Sequence, residues 1–181
     1  MTANAASVTG VPHTGSPRTQ FPMDRPTITK TYSSFSMTCR VEAPINASPE
    51  TIWRLLTDGP DYPRWNSTVT RIDGQIREGE RIRVHAPGTD RTFKPTVSQV
   101  VPDRHMAWIG GSAPVMKGVR TFELKPRDDG TTVFAMQERF SGLLLPVARR
   151  FMPDFGPIYE RFADDLKRAA EGPGDGPAKA P

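Results

Sequence analysis

The chain has 181 residues, with 24 lysine and arginine residues against 20 aspartate and glutamate residues and a formal net charge of +4. That length predicts one domain of ordinary size. The sequence contains one cysteine, which excludes an internal disulfide and a cysteine-based zinc cluster, because each of these needs several thiols. The basic residues form no stripe, so we expect no nucleic-acid partner.

The two ends of the chain are predicted to be tails. Residues 1–35 are rich in Thr, Ser, Pro and Ala, and residues 172–181 are rich in Gly and Pro. Neither segment buries enough apolar surface to offset the entropy of ordering. We expect the first tail to be disordered or loosely docked through residues 21–35, and the second to be disordered. A folded unit of residues 36–171 remains.

Targeting signals are not evident in the sequence. The first ten residues lack the basic and apolar regions of a secretory signal. No apolar run approaches the roughly 20 residues that span a bilayer. We therefore expect a cytoplasmic protein, a setting that also suits a single unpaired cysteine.

The folded unit is predicted to begin with a strand over Ser36–Ala43, whose inward face carries Met37, Cys39 and Val41. A helix over Pro49–Thr57 follows, because Ser48 is a good N-cap and proline suits the first helical position. We expect this helix to bury Ile52, Trp53 and Leu56. Residues 61–66 form at most a short helical turn, since Pro63 disfavours the helical conformation in the residue before it.

Alternating apolar and polar residues, separated by turn signals, then predict an antiparallel meander of six strands. The strands are expected at Val69–Arg77, Arg81–Ala86, Thr92–Val100, His105–Gly110, Gly118–Lys125 and Thr132–Phe140. After Ser141 the spacing of apolar residues becomes helical. One face of a long C-terminal helix is expected to carry Leu144, Ala148, Phe151, Phe155, Ile158, Phe162, Leu166 and Ala169.

This order of elements indicates an α+β fold in which one sheet curves around one helix. The order and five short motifs resemble the helix-grip fold of the SRPBCC superfamily, which includes START, Bet v 1 and bacterial polyketide cyclase/dehydratase-like proteins. The motifs are Ser48–Trp53, Tyr62–Asn66, Phe93–Val97, Thr121–Leu124 and Glu138–Leu144. The resemblance covers residues 36–171 and implies a curved antiparallel sheet of about seven strands with a deep, mostly apolar cavity under the helix. It implies no particular ligand.

Two prolines fall inside the apolar periodicity of the C-terminal helix. Each interior proline removes a backbone hydrogen bond and destabilises a regular helix by about 3 kcal/mol. We therefore expect a break between Met152 and Pro157, with Ser141–Phe151 as a separate segment over the cavity mouth. The run Leu143 to Val147, followed by Arg149 and Arg150, would suit a membrane-touching lid, but such a stripe is more often core.

Two charged residues stand out on apolar strand faces. If Asp128–Gly130 forms a three-residue hairpin loop, the resulting register sets Arg120 opposite Glu138, on the same side as Phe122, Leu124, Phe134 and Met136. Two interpretations stay open: a solvated pair at the rim of the sheet, or a paired charge inside an apolar cavity that orients a polar group of the ligand. Ion pairing would make Glu138 a poor general acid.

Other candidate residues carry weaker signals. His85 shares a solvated strand face with two arginines, His105 lies in a turn and His13 lies in the first tail, and none has a polar partner close in sequence. Cys39 is expected to be a small buried side chain. Trp108 is a candidate for the cavity wall. The full set expected to contact a ligand is Trp108, Arg120, Phe122, Phe134, Met136, Glu138, Phe140, Phe151, Phe155 and Phe162.

These features favour the binding of a hydrophobic small molecule of the lipid, polyketide or isoprenoid type, without a covalent step. The alternative is a cyclase, aromatase or dehydratase in which Glu138 acts as acid or base and Arg120 polarises a carbonyl. A protein-interaction module is a third hypothesis. We expect no metal and no cofactor, because no phosphate-binding loop, catalytic serine elbow or ligand cluster is recognisable. The ligand identity and oligomeric state stay open.

Overall fold

The computed structural model describes residues 25–88 and 92–172. His13 and most of the two predicted tails lie outside these residues. In chain order the elements are β1 (Thr27–Tyr32), β2 (Ser36–Ile45), α1 (Pro49–Thr57), a 3-10 turn (Gly59–Asp61), α2 (Tyr62–Trp65), β3 (Arg71–Asp73), β4 (Arg83–His85), β5 (Thr92–Phe93), β6 (Thr96–Val101), β7 (His105–Ser112), β8 (Met116–Pro126), β9 (Thr132–Ser141), α3 (Leu145–Ala148), a second 3-10 turn (Arg149–Phe151) and α4 (Phe155–Ala170).

The strands form two sheets rather than the single sheet expected. A large antiparallel sheet has the order β1-β2-β9-β8-β7-β6, and β3-β4-β5 form a small one. The expected strand Val69–Arg77 stops at Gly74, whose φ of +100° turns the chain. The expected strand Thr92–Val100 is interrupted at Pro95, because proline lacks the N–H that a ladder needs. Helix α4 packs against β1, β2 and α1.

The domain begins earlier than residue 36. Thr27–Tyr32 lies within the predicted N-terminal tail, yet it pairs with β2 along its whole length and forms one edge of the large sheet. Five of its six side chains are exposed, which is why composition did not reveal it. Only Ile28 packs against the core.

The expected helix Pro49–Thr57 is confirmed with both boundaries. Ser48 caps it, because its Oγ accepts a hydrogen bond from Thr51 N at 3.3 Å. Ile52, Leu55 and Leu56 are buried, whereas Trp53 is only partly buried. The short turn expected over residues 61–66 is also present, as α2. None of the helices among the described residues is long and apolar enough to cross a membrane.

The expected break in the C-terminal helix is confirmed. Met152–Asp154 separate the second 3-10 turn from α4, and Pro157 lies in the first turn of α4, where its missing N–H has no intrahelical partner to lose. The expected apolar stripe holds within α4, where Phe155, Phe162 and Leu166 pack on the core, but it does not continue through the break. Leu144 and Phe151 are exposed, Ile158 is partly exposed, and Tyr159 is buried instead.

The predicted register of the central hairpin is confirmed. Arg127 N donates to Thr131 O at 2.8 Å, and Gly130 has a φ of +82°, as the three-residue loop requires. Arg120 lies opposite Glu138, with the pairs Phe122–Met136 and Leu124–Phe134 on the same side.

A close backbone approach at Gly142 gives a test of the fold. A Cβ at Gly142 would lie 2.3 Å from the Val115 carbonyl oxygen, and its φ is +140°. We expect Gly142→Ala to lower the free energy of unfolding by about 2 kcal/mol or more. Gly130→Ala is the matched control, because its φ is also positive but nothing lies within 4 Å of the added carbon; about 1 kcal/mol is expected there. Equal losses in denaturant titrations would contradict this account.

Candidate functional site

One row of cross-strand neighbours runs across the helix-facing side of the large sheet and carries most of its polar groups. Paired residues in an antiparallel sheet point to the same side, so the row can be read from the register. From β1 to β6 it consists of Lys30, Cys39, Glu138, Arg120, Trp108 and Val97. Arg120 and Glu138, at the centre of the sheet, therefore lie in the same row as Lys30 on its edge.

The rows on either side differ sharply in polarity and size. Toward one end, Val41, Met136, Phe122 and Met106 form an apolar row that is fully buried. Toward the other end, the corresponding row contains Met37, Phe140, Gly118 and Gly110. A Cβ at Gly110 would meet nothing within 4 Å, so this end of the sheet is open. The charged row therefore lies between a closed core and an open mouth.

Arg120, Glu138 and Tyr159 form the polar centre of this site. Arg120 donates to Glu138 Oε2 through Nε at 2.9 Å and Nη2 at 2.5 Å, and the Tyr159 hydroxyl donates to the same oxygen. The guanidinium carbon lies 5.3 Å from the centre of the Tyr159 ring. The side chains of Arg120 and Glu138 are 21% and 13% exposed. The pair is therefore neither at a solvated rim nor sealed in the core.

The two oxygens of Glu138 differ in their surroundings. Oε2 accepts all three hydrogen bonds, whereas Oε1 has no donor among residues 25–88 and 92–172. Oε1 faces Gly118, where an added Cβ would lie 3.8 Å away. The lack of a side chain at Gly118 leaves room beside this oxygen. One acceptor is thus engaged by the protein and the other is available to a bound group.

Burial and neighbouring charges raise the pKa values of three side chains at this centre. Burial raises the pKa of Tyr159 well above its usual value, and the carboxylate of Glu138 adds to the rise, so the phenol stays neutral and donates. Burial is the largest single effect on the pKa of Arg120 and lowers it, but Glu138 and Tyr159 together outweigh burial and raise the pKa above its usual value. Burial also raises the pKa of the Cys39 thiol, against the opposing charge of Lys30, which disfavours a nucleophilic thiolate.

Aromatic rings connect this centre to a cavity at the sheet edge. Phe155 stacks on Phe140 at 5.3 Å and contacts Tyr159 at 5.6 Å between ring centres. Beyond Phe155 lies a cavity of about 230 Å³ between β1, β2 and the segment that precedes α4. Its walls are Lys30, Tyr32, Met37, Cys39, Arg149, Met152, Pro153, Asp154 and Phe155. Mostly apolar walls with a few charged groups are typical of small-molecule sites.

An ion pair closes one side of this cavity. Lys30 donates to Asp154, whose carboxylate also accepts from Gly156 N at 3.0 Å and so caps α4. The hydrogen bond from Lys30 lowers the pKa of Asp154, and the same contact raises the pKa of Lys30. The lysine side chain lies close to Gly156, where an added Cβ would be 2.7 Å from its Nζ. The edge strand is therefore tied to the start of α4.

The deep cavity expected between sheet and helix is replaced by packed aromatic side chains. Phe162 of α4 lies 6.2 Å from both Phe122 and Phe134, and Trp108 lies 4.9 Å from Phe122. These four residues and Met136 are buried in the core. Of the ten residues expected to contact a ligand, Phe155 alone lines the 230 Å³ cavity. Phe140 stacks on Phe155, and Glu138 is the cross-strand partner of the lining residue Cys39.

Phe151 was expected at the cavity wall and lies outside instead. Its side chain is 80% exposed, because the 3-10 turn directs it away from the sheet. Trp108 is a core residue, and its indole N–H is buried without a hydrogen-bond partner among the described residues. Sequence reasoning missed Tyr159, although its spacing of four from Phe155 and three from Phe162 places it on their helix face.

The two histidines among the described residues lie away from this site. His85 lies on the small sheet with Nε2 3.0 Å from Asp73, and His105 lies near Gln99. Within the part of the chain that the structure describes, no group of three or more His, Cys, Asp or Glu side chains could hold a metal ion.

The Tyr159 hydroxyl gives the first test of the site. We expect Tyr159→Phe to lower the free energy of unfolding by about 1.5–3 kcal/mol, the range for a hydrogen bond to a charged group. Tyr32→Phe is the control, because Tyr32 is 55% exposed and is expected to change stability little. Denaturant titration measures both. Similar effects of the two substitutions would count against a stabilising Tyr159–Glu138 contact.

Alkaline pH gives a second test. Burial raises the pKa of Tyr62 and of Tyr159 above the usual 10.0, so each contributes stability that is present below pH 10.0 and is lost as pH rises above it. Each tyrosine contributes up to about 1.4 kcal/mol per pH unit to that decline. We expect Tyr159→Phe to make the decline between about pH 10 and 11 shallower in urea titrations. If the substitution leaves the pH dependence of the free energy of unfolding unchanged, Tyr159 has the same pKa in the folded and unfolded states.

Comparisons with known proteins match this geometry to a family and to solved structures. The sequence profile described as polyketide cyclase / dehydrase and lipid transport matches residues 36–171. A search of curated protein sequences finds no match. A conserved protein of unknown function from Enterococcus faecalis is 20% identical, with a TM-score of 0.59 over 85% of this chain and 82% of that one.

Two further structures share the fold at low identity. CalU16 from Micromonospora echinospora is 14% identical, with a TM-score of 0.58 over 82% of this chain and 87% of its own. DynU16, a protein of the dynemicin biosynthetic locus, is 18% identical, with a TM-score of 0.57 over 76% of this chain and 48% of its own. The α+β helix-grip arrangement expected from the sequence is confirmed.

Proposed function

The chain belongs to the polyketide cyclase/dehydrase and lipid transport family, and we propose that it binds an apolar small molecule of the polyketide, lipid or isoprenoid type without a covalent step. The observation that carries the proposal is the half-buried Glu138, with one oxygen engaged by Arg120 and Tyr159 and the other free of donors among the described residues. Cys39, the cross-strand partner of Glu138, lines the apolar cavity, as does Phe155, which contacts Tyr159. A free acceptor in that position suits a ligand with one polar donor group.

The ligand would lie with its apolar body against Met37, Met152 and Phe155 and its polar group toward Glu138 Oε1. The cavity volume of about 230 Å³ is below the roughly 300–1,000 Å³ of typical small-molecule pockets. A larger ligand therefore requires the residues that precede α4 to move outward. Only Leu145 of α3 is fully buried, so few core contacts would be lost in that movement.

The same geometry favours binding over acid or base catalysis. The Oε2 atom of Glu138 already accepts hydrogen bonds from the Arg120 guanidinium and the Tyr159 hydroxyl, so it is not free to exchange a proton with a substrate. Arg120 in turn directs two of its donors at Glu138 rather than at a substrate carbonyl. The protonated thiol of Cys39 offers no nucleophile. Catalysis by Glu138 would need this set of contacts to break first.

A fluorescent ligand tests the proposal. N-phenyl-1-naphthylamine is apolar and uncharged and carries one N–H donor, so it matches both the cavity and the free oxygen. We expect it to bind the full chain, and we expect Glu138→Gln to weaken binding by about 5- to 100-fold, equivalent to about 1–3 kcal/mol. Fluorescence titration measures the dissociation constants. Glu42→Gln is the matched control, because Glu42 lies on the other face of β2 and is half exposed.

Two results would count against the proposal. Equal binding by both variants would remove Glu138 as the anchor. Loss of turnover of a candidate polyketide in Glu138→Gln, with binding unchanged, would favour a cyclase or dehydratase.

Native mass spectrometry of the protein purified from its own host adds an independent measurement. A copurified apolar ligand supports binding, whereas an empty site with a bound protein supports an interaction module.

A further inference from the structure

Exposed apolar side chains are concentrated in the segment between β9 and α4. Leu143, Leu144, Val147 and Phe151 are 53–80% exposed, although large apolar side chains are normally buried. Leu143, Val147 and Phe151 are spaced by four residues, and Leu144 lies beside Leu143 in the preceding turn, while Leu145 is buried. The segment is therefore anchored by one leucine and presents the other apolar side chains to its surroundings.

Two neighbouring turns extend this surface. Leu143 N and Leu144 N donate to the carbonyls of Pro114 and Val115 in the β7–β8 turn, at 2.9 and 3.1 Å. Gly142 N donates to the carbonyl of Phe35 in the β1–β2 turn at 3.1 Å. The side chains of Val115 and Phe35 are each at least half exposed. Three chain segments thus meet at one end of the large sheet, and each presents exposed apolar side chains; we call this surface the apolar end.

The three segments that form the apolar end carry only basic charged residues, and the next acidic residue along the chain, Asp154, is paired with Lys30. Residues 32–37, 112–118 and 141–152 contain Lys117, Arg149 and Arg150 and no aspartate or glutamate. Arg149 and Arg150 are exposed and form no ion pair within the described residues. Apolar side chains flanked by unpaired basic residues are typical of surfaces that lie on anionic lipid bilayers.

We propose that the apolar end docks on the surface of an anionic lipid membrane. Leu143, Val147 and Phe151 would enter the boundary between headgroups and acyl chains, and Arg149 and Arg150 would contact lipid phosphates. The 230 Å³ cavity lies at the same end, because Tyr32, Met37 and Arg149 of these segments line it. An apolar molecule would then pass between bilayer and cavity without crossing water. The docking itself does not require the proposed ligand.

Vesicle sedimentation tests the docking. We expect the full chain to sediment with vesicles of phosphatidylcholine containing about 30% phosphatidylglycerol, but only weakly with pure phosphatidylcholine. We expect Val147→Asp and Leu143→Asp each to lower the partition coefficient by about tenfold or more, and Arg150→Gln to lower it by about fivefold. Salt at about 0.5 M should weaken binding of the unmodified chain, because it screens the basic residues.

Val101→Asp is the matched control. Val101 is 48% exposed and lies at the opposite end of the large sheet, where it pairs with His105, and the substitution adds the same charge. Its vesicle binding should match that of the unmodified chain. Equal loss in the control and in both apolar-end variants would overturn the proposal, as would an absence of vesicle binding. If light scattering instead shows a dimer that Val147→Asp dissociates, a second copy of the chain covers this surface.

The readouts separate docking from ligand binding. Val147 does not line the cavity, so Val147→Asp should bind N-phenyl-1-naphthylamine as the unmodified chain does. If the probe binds neither the unmodified chain nor any variant, the proposed function is contradicted, but the vesicle result still tests the docking. Failure of vesicle binding with normal probe binding would contradict the docking alone.

Discussion

The register of the β8–β9 hairpin is the constraint on which the site depends. It is set by a three-residue loop in which Gly130 adopts a positive φ that other residues disfavour. A slip of one residue would move every side chain of one strand to the other face. The observed register aligns Arg120 with Glu138 and, on the same face, Phe122 with Met136. The polar centre and the closed core are therefore specified together by one turn.

Stability alone does not account for an ion pair in this position. Moving a carboxylate and a guanidinium partly out of water offsets much of their attraction, and apolar pairs of similar volume are often at least as stable. Tyr159 adds a third hydrogen bond to the same oxygen, which reduces the penalty for Glu138 but leaves its second oxygen free. Such an arrangement fixes a charged group in one orientation and keeps one acceptor open, which is what recognition of a polar group requires.

Sequence reasoning succeeded where local rules decide the structure. The cap at Ser48, the loop at Gly130 and the break near Pro153 each follow from the chemistry of one or two residues, and all three are present. Strand alternation then placed Arg120 and Glu138 correctly, because period two leaves no freedom once the register is known. The contacts of this pair within its own hairpin were therefore predictable.

Tertiary packing decided the features that sequence reasoning missed. β1 is a strand because β2 offers a free edge, and its own mostly exposed side chains carry no signal of that pairing. Ile158 and Tyr159 both lie three or four residues from Phe155 and Phe162, so spacing did not decide between them, and packing buries Tyr159. The depth of the cavity depends on how far Phe162 reaches between Phe122 and Phe134, which spacing along the chain does not determine.

The open end of the large sheet and the apolar end coincide. The helix-facing residues of β8 are Leu124, Phe122 and Arg120, followed at the open end by Gly118, which contributes no side chain to the interior. The turn that precedes Gly118 approaches the segment after β9, where Leu143 N and Leu144 N donate to its carbonyls. The backbones of Leu143 and Leu144 are held against this turn, and their side chains are exposed. The backbone contact that joins the two segments at the open end therefore leaves apolar side chains on the surface there.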